Sequence, residues 1–91
     1  MLNPSATTST GQVCVRFWAA AREAAGASQD WVPAGRLDDV FASLRDRYGE
    51  RMARLLAISA LLVDGQRIPP DPALDLPNGA VLEILPPFAG G

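Results

Sequence analysis

The sequence predicts an α+β fold, a mixed sheet of four to five strands packed on one main helix. Three observations carry this. Leu37, Val40, Phe41, Leu44 and Tyr48 recur at i, i+3, i+4, i+7 and i+11, which draws one apolar stripe along a helix of three turns. Runs rich in β-branched and aromatic residues flank that helix, Val13–Ala19 before it and Ser59–Val63 and Ala80–Leu85 after it. At 91 residues the chain makes a single domain, so the one long helix has one sheet face to cover.

The elements follow in order. Residues 1–11 are polar and rich in Ser and Thr, with neither the basic region nor the apolar core of a signal peptide, and read as a disordered leader. In the first strand Val13, Val15 and Phe17 alternate with Cys14, Arg16 and Trp18, so the first set is expected to face the core. Ala20–Ala25 favours helix but is too short to stand alone, and Gly26 stops it. Ser28–Val32 is a short second strand closed by Pro33, which argues for an edge, with Trp31 open to either face. In the main helix Asp38 and Asp39 occupy the first turn and Arg45 and Arg47 the last, each matching the helix dipole. Gly49 ends it, and Glu50–Ala57 forms a second short helical piece.

Ser59–Val63 is almost unbroken in its hydrophobicity and is expected to be buried on both faces. Asp64-Gly65 signals a tight turn, returning the chain as the brief edge strand Gln66–Ile68. Pro69, Pro70 and Pro72 stop further pairing, and Leu74 and Leu76 read as loop anchors. Pro77-Asn78-Gly79 turns into the last strand, where Leu82 and Ile84 face inward while Val81, Glu83 and Leu85 face out. This order suits a β-grasp, in which the first and last strands lie side by side and parallel in the centre of the sheet.

Inventory limits the chemistry. Histidine is absent and Cys14 is the sole cysteine, which excludes an internal disulfide, a cysteine–histidine zinc site and any histidine-based triad. A net charge of −2 argues against nucleic acid as a partner, and no apolar run approaches a membrane span. The chain is expected to be cytoplasmic. All eight basic residues are arginine, which composition bias of the genome explains, and so does the advantage of having no lysine amine to attack an activated C-terminal carbonyl.

What remains is the end of the sequence, residues 86–91, a flexible tail that follows the domain at 12–85. Pro86 and Pro87 pre-extend it, Phe88 offers an apolar anchor before Ala89, and Gly90 and Gly91 clear every Cβ from around the terminal carboxylate. Six extended residues span at most about 20 Å, enough to enter a partner's pocket.

Val15-Arg16-Phe17-Trp18-Ala19-Ala20-Ala21-Arg22-Glu23, Val63-Asp64-Gly65 and Leu85-Pro86-Pro87-Phe88-Ala89-Gly90-Gly91 together resemble the small subunit of molybdopterin synthase, one of the ubiquitin-like sulfur carriers that also include the thiamine-pathway carrier. The resemblance covers about residues 12–91, and its specific part is the Pro-Pro-x-Ala-Gly-Gly ending. Arg36 stands where that family usually places a threonine helix cap, a departure that bears on helix stability. The resemblance implies a ubiquitin-like fold and a protein co-substrate with no permanent cofactor. An ATP-dependent adenylating enzyme would activate Gly91 as an acyl-adenylate, and a sulfur-donor enzyme would convert it to a thiocarboxylate. The large subunit of molybdopterin synthase, which would hold the catalytic residues, would receive the sulfur for the pyranopterin precursor. Alternatives are a carrier for thiamine thiazole, cysteine or another thiolated product, and a ubiquitin-like modifier joined to lysines of other proteins. Arg16, Trp18, Glu83 and Leu85 are expected to be neighbours on the uncovered sheet face, where partners would dock.

Overall fold

A computed structural model of the chain describes residues 11–87. Seven strands and three helices follow one another: β1 (Gln12–Phe17), α1 (Ala19–Ala25), β2 (Gln29–Pro33), β3 (Gly35–Arg36), α2 (Leu37–Tyr48), α3 (Glu50–Ile58), β4 (Ala60–Val63), β5 (Gln66–Ile68), β6 (Asp75–Leu76) and β7 (Val81–Leu85). Five strands form one mixed sheet in the order β2-β1-β7-β4-β5. β1 and β7 are parallel, while β2, β4 and β5 join antiparallel, so the first and last strands share the centre. This is the β-grasp arrangement that the element order predicts.

Alternation decides which side chains enter the core. Val13, Val15 and Phe17 of β1, Val32 of β2, Leu61 of β4 and Leu82 and Ile84 of β7 are all buried on the helix side. Against them pack Ala21 of α1, Leu37, Val40 and Leu44 of α2, and Met52 and Leu56 of α3. Among the described residues no polar or charged side chain is fully buried, so apolar packing is what holds the two layers together.

The structure departs from the sequence reading in four places. The first strand ends at Phe17 rather than Ala19, because the backbone turns at Ala19 (φ 49°) to start α1. β2 runs on to include Pro33, which the edge position tolerates since that residue needs no ladder N–H. β4 is not covered on both faces: Leu61 is buried, but Leu62 is only half-buried because no helix lies over the second face. Leu76 is no mere loop anchor either, since Asp75–Leu76 pairs with Gly35–Arg36 as a separate two-stranded ribbon, with Leu76 buried against the core.

The joints are fixed by backbone chemistry. Gly49 sits at φ 86° between α2 and α3, a positive-φ backbone open to glycine that lets one helix end and the next begin without an intervening loop. Asp64 (φ 49°) and Gly65 (φ 85°) turn β4 into β5 as a hairpin of the kind Asp-Gly favours. Asp64 also holds β7, since its carboxylate accepts the Val81 N–H (3.0 Å) and its own N–H donates to the Val81 carbonyl (2.9 Å). The Pro77-Asn78-Gly79 turn is bound to the start of β1: Gln12 N–H donates to Asn78 Oδ1 (2.9 Å), and Gly79 N–H donates to the Gln12 carbonyl (2.9 Å). β7 is thus registered at its start before its ladders begin.

Candidate functional site

β7 carries the chain toward its end, and both of its neighbours hold it. On one side Cys14, Val15, Arg16 and Phe17 pair with Val81, Leu82, Glu83 and Ile84, and on the other Ala60, Leu61, Leu62 and Val63 pair with Leu85, Ile84, Glu83 and Leu82. Trp18 N–H donates to the Ile84 carbonyl (3.2 Å), extending the parallel ladder one step past β1. Pro86 is buried, and Pro87, the last described residue, is exposed. Phe88, Ala89, Gly90 and Gly91 lie outside the described residues, as do residues 1–10 of the leader.

The sheet face away from the helices gathers the side chains that alternate with the core set. Register places Gln29, Arg16, Glu83, Leu62 and Arg67 in one row across all five strands. Trp31, Cys14 and Val81 form a second row, which settles the sequence's uncertainty over Trp31: it lies on this open face, 46% exposed. Trp18, Leu85 and Ala60 lie at the C-terminal end of β7.

Arg16, Trp18 and Glu83 are brought together closely. Arg16 is the register partner of Glu83, and the Trp18 indole Nε1–H donates to Glu83 Oε1 at 3.0 Å. The Arg16 guanidinium lies over the Trp18 ring, 5.3 Å from its centroid, within cation–π range. Leu85 is half-buried on the same side of β7, one alternation beyond Glu83. Sequence reasoning missed Arg22 as a member of this group. From α1 it brings a second guanidinium to 5.9 Å from the Trp18 centroid. The signal was the i, i+4 interval from Trp18 to Arg22 at the start of a helix.

A second polar cluster lies at the opposite margin. Asp30 of β2 points to the helix side, where Arg47 Nη1 donates to its Oδ2 (2.8 Å) and the Tyr48 hydroxyl donates to the same oxygen. The Trp31 N–H donates to Asp30 Oδ1 (2.8 Å), and Arg47 Nη1 also donates to the Trp31 carbonyl (2.8 Å). Burial alone would raise the Asp30 carboxyl, but the hydrogen bonds from Tyr48, Arg47 and Trp31 and the Arg47 charge outweigh it and hold the group below the ordinary carboxylate range. The Tyr48 hydroxyl is pushed up to about 12, first by burial and then by its bond to the Asp30 carboxylate and that carboxylate's charge.

Among the described residues no group of three or more His, Cys, Asp and Glu side chains could hold a metal ion, and no helix is long and apolar enough to cross a membrane. What the fold provides is a rigid central strand that ends beside a tryptophan and two arginines.

The model of the ThiS family matches residues 15–91, from within β1 to the end of the sequence. Three solved structures are similar. The HVO 2177 protein of Haloferax volcanii is 26% identical at TM-score 0.74, covering 90% of this chain and 88% of that one. A chain of the complex of subunits 1 and 2 of the molybdopterin-converting factor from Helicobacter pylori is 25% identical at TM-score 0.65, covering 88% and 99%. Small archaeal modifier protein 1 of Methanosarcina acetivorans is 27% identical at TM-score 0.67, covering 90% and 98%. No curated protein sequence matches the chain.

Proposed function

This chain belongs to the ThiS family and has the ubiquitin-like sulfur-carrier fold, and from that membership we propose that it carries sulfur as a thiocarboxylate on Gly91 for the assembly of molybdopterin. The observation that carries the proposal is the family match through residue 91, which includes the Gly90-Gly91 ending. It is supported by the position of β7, whose flanking ladders hold the base of the tail in a fixed direction.

The chemistry asks little of the chain itself. A carboxylate resists attack because its charge is shared by two oxygens. An adenylating enzyme removes that resistance: a Gly91 carboxylate oxygen attacks the α-phosphorus of ATP, pyrophosphate leaves, and an acyl-adenylate forms. The outer sulfur of a donor enzyme's persulfide then attacks the acyl carbon and displaces AMP, and a thiol cleaves the S–S bond of the resulting acyl disulfide, which leaves the thiocarboxylate, a soft anion, on the carrier and a disulfide on the donor side. The bare glycine backbone fits this role, since acyl carbon and sulfur must pass through channels that a side chain would block. The proposed partners are the adenylating enzyme, the sulfur donor and a large subunit that performs sulfur insertion. One similar structure is of a molybdopterin-converting factor in which subunits 1 and 2 form a complex.

The test incubates the full chain with ATP, the adenylating enzyme and a sulfur donor and reads the intact mass. Replacement of one terminal oxygen by sulfur, followed by transfer to the pyranopterin precursor in the presence of the large subunit, is the expected result. An unchanged mass rules the carrier out. A second reading, conjugation to lysines of other proteins, is favoured by the likeness to small archaeal modifier protein 1. Covalent adducts in place of the thiocarboxylate would select it.

A further inference from the structure

The sequence holds two asparagines, Asn3 before Pro4, which has no backbone N–H, and Asn78 before Gly79. An asparagine followed by glycine is the pair most open to attack on its own carboxamide, since glycine adds no side chain to hinder the amide nitrogen. Asn78 and Gly79 are both exposed, so water and hydroxide reach the turn. Burial therefore does not protect the carboxamide. Bonding does: Asn78 Oδ1 accepts the Gln12 N–H (2.9 Å), and the Gly79 N–H donates to the Gln12 carbonyl (2.9 Å). The electrophile and the nucleophile of the reaction are each held by the backbone of one residue at the start of β1.

Neighbouring backbone tightens the hold. Gly11, at φ 67°, backs onto Asn78, and a Cβ there would overlap Asn78 Cβ, Cγ and Oδ1. The Gly11 carbonyl is anchored in turn by the Ala34 N–H (3.2 Å), and the Ala80 N–H closes the turn onto the Pro77 carbonyl (3.1 Å). For the Asn78 carboxamide to swing onto the Gly79 nitrogen, Gln12 has to move first.

We propose that Asn78 is a deamidation site gated by the start of β1. When Gln12 releases the turn, hydroxide removes the Gly79 amide proton and the nitrogen attacks Asn78 Cγ. Water returns a proton to the departing amide nitrogen, and ammonia leaves as the succinimide ring closes. A second water opens the ring at one of its two carbonyls, giving aspartate or isoaspartate; the net change is one water consumed and one ammonia released. The two products differ in consequence. An aspartate oxygen still accepts the Gln12 N–H, whereas isoaspartate routes the backbone through the former side chain, adds a carbon to it and shifts the entry into β7. Local opening of a strand end costs far less than unfolding the whole domain, so the reaction proceeds from the folded chain.

The full chain is aged at mildly alkaline pH in buffer and in urea, and conversion at residue 78 is read by peptide mass mapping, with isoaspartate scored by enzymatic methylation. Conversion in buffer is expected to run at least about tenfold slower than in urea, a factor that two ordinary hydrogen bonds supply. Gly11→Ala, which drives the Asn78 side chain from its place, and Gln12→Pro, which removes the donor to Asn78, are expected to recover most of that factor in buffer. Leu44→Ala, which weakens the core away from the turn, is expected to stay within about twofold of the wild-type rate. Circular dichroism checks that each variant is folded, and either turn variant suffices if the other unfolds. Equal wild-type rates in buffer and urea, or an unchanged rate in the folded turn variants, overturns the inference. Acceleration by Leu44→Ala equal to theirs overturns it as well, since the gate would then be global unfolding.

Discussion

Tyr48 is the only tyrosine of the chain and belongs to both layers: its ring meets Phe17 edge-on at 5.7 Å, and its hydroxyl donates to Asp30. Its hydroxyl is raised to about 12, above the unfolded value of about 10. The contribution to stability is therefore complete below about pH 10 and is lost as the pH climbs through about 12. Asp30 behaves in the opposite sense: its carboxyl is lowered, so its contribution holds above the ordinary aspartate range and disappears as acid carries the pH through its depressed folded value. Asp30→Ala is expected to move the tyrosinate absorbance midpoint from about 12 toward 10, a clean reading because no other tyrosine titrates. A midpoint left in place would mean that burial alone raises the hydroxyl.

The same cluster acts on the edge strand β2. Pairing of β1 with β2 directs the backbone groups of Gln29, Trp31 and Pro33 away from the sheet. The Trp31 N–H is taken by Asp30 and its carbonyl by Arg47, and Pro33 has no N–H to offer. An edge with its middle donor and acceptor occupied is a poor template for another strand. Arg47→Ala is expected to free the Trp31 carbonyl and raise self-association, read as a larger sedimentation coefficient at high protein concentration. A monomer unchanged at every concentration would deny the edge this role. In β7, Ile84 is fully buried at the centre of the sheet. Ile84→Ala is expected to cost about 2–5 kcal/mol, seen as a lower urea midpoint, since both neighbouring strands limit how far the cavity can collapse.

At the scale of the molecule, the proposed function assigns the chemistry to the tail and its presentation to the domain. Among the described residues the apolar core is built from the five-stranded sheet and the three helices, with Ile84 of β7 its last side chain. Deleting Gly91, or appending residues after it, is expected to abolish sulfur transfer while the thermal midpoint stays within about 4 °C of wild type, because ordinary surface changes shift stability by less than about 0.5 kcal/mol, a few degrees in a chain of this size. Retained transfer by the extended chain would refute the terminal-carboxylate chemistry.

The sequence by itself determined the layer plan, since hydrophobic periodicity is local: the stripe from Leu37 to Tyr48, the alternation in β1 and β7, and the Asp64-Gly65 turn each reside in a few consecutive residues. It also made the outward set Arg16, Trp18, Glu83 and Leu85 legible, because alternation assigns a face without knowledge of the partner strand. Only the tertiary structure decided what depends on residues distant in sequence. Leu62 looked fully buried because an apolar run does not record which face a helix covers, and in the fold only one face is covered. Asp75–Leu76 looked like loop because a two-residue strand carries no period and exists only through its pairing with Gly35–Arg36. Arg22 entered the Trp18 group, and Asp30 met Arg47 and Tyr48, because a turn of helix and a strand crossing brought them within reach. Local pattern fixes which side of an element is apolar; long-range packing fixes what each polar side chain meets.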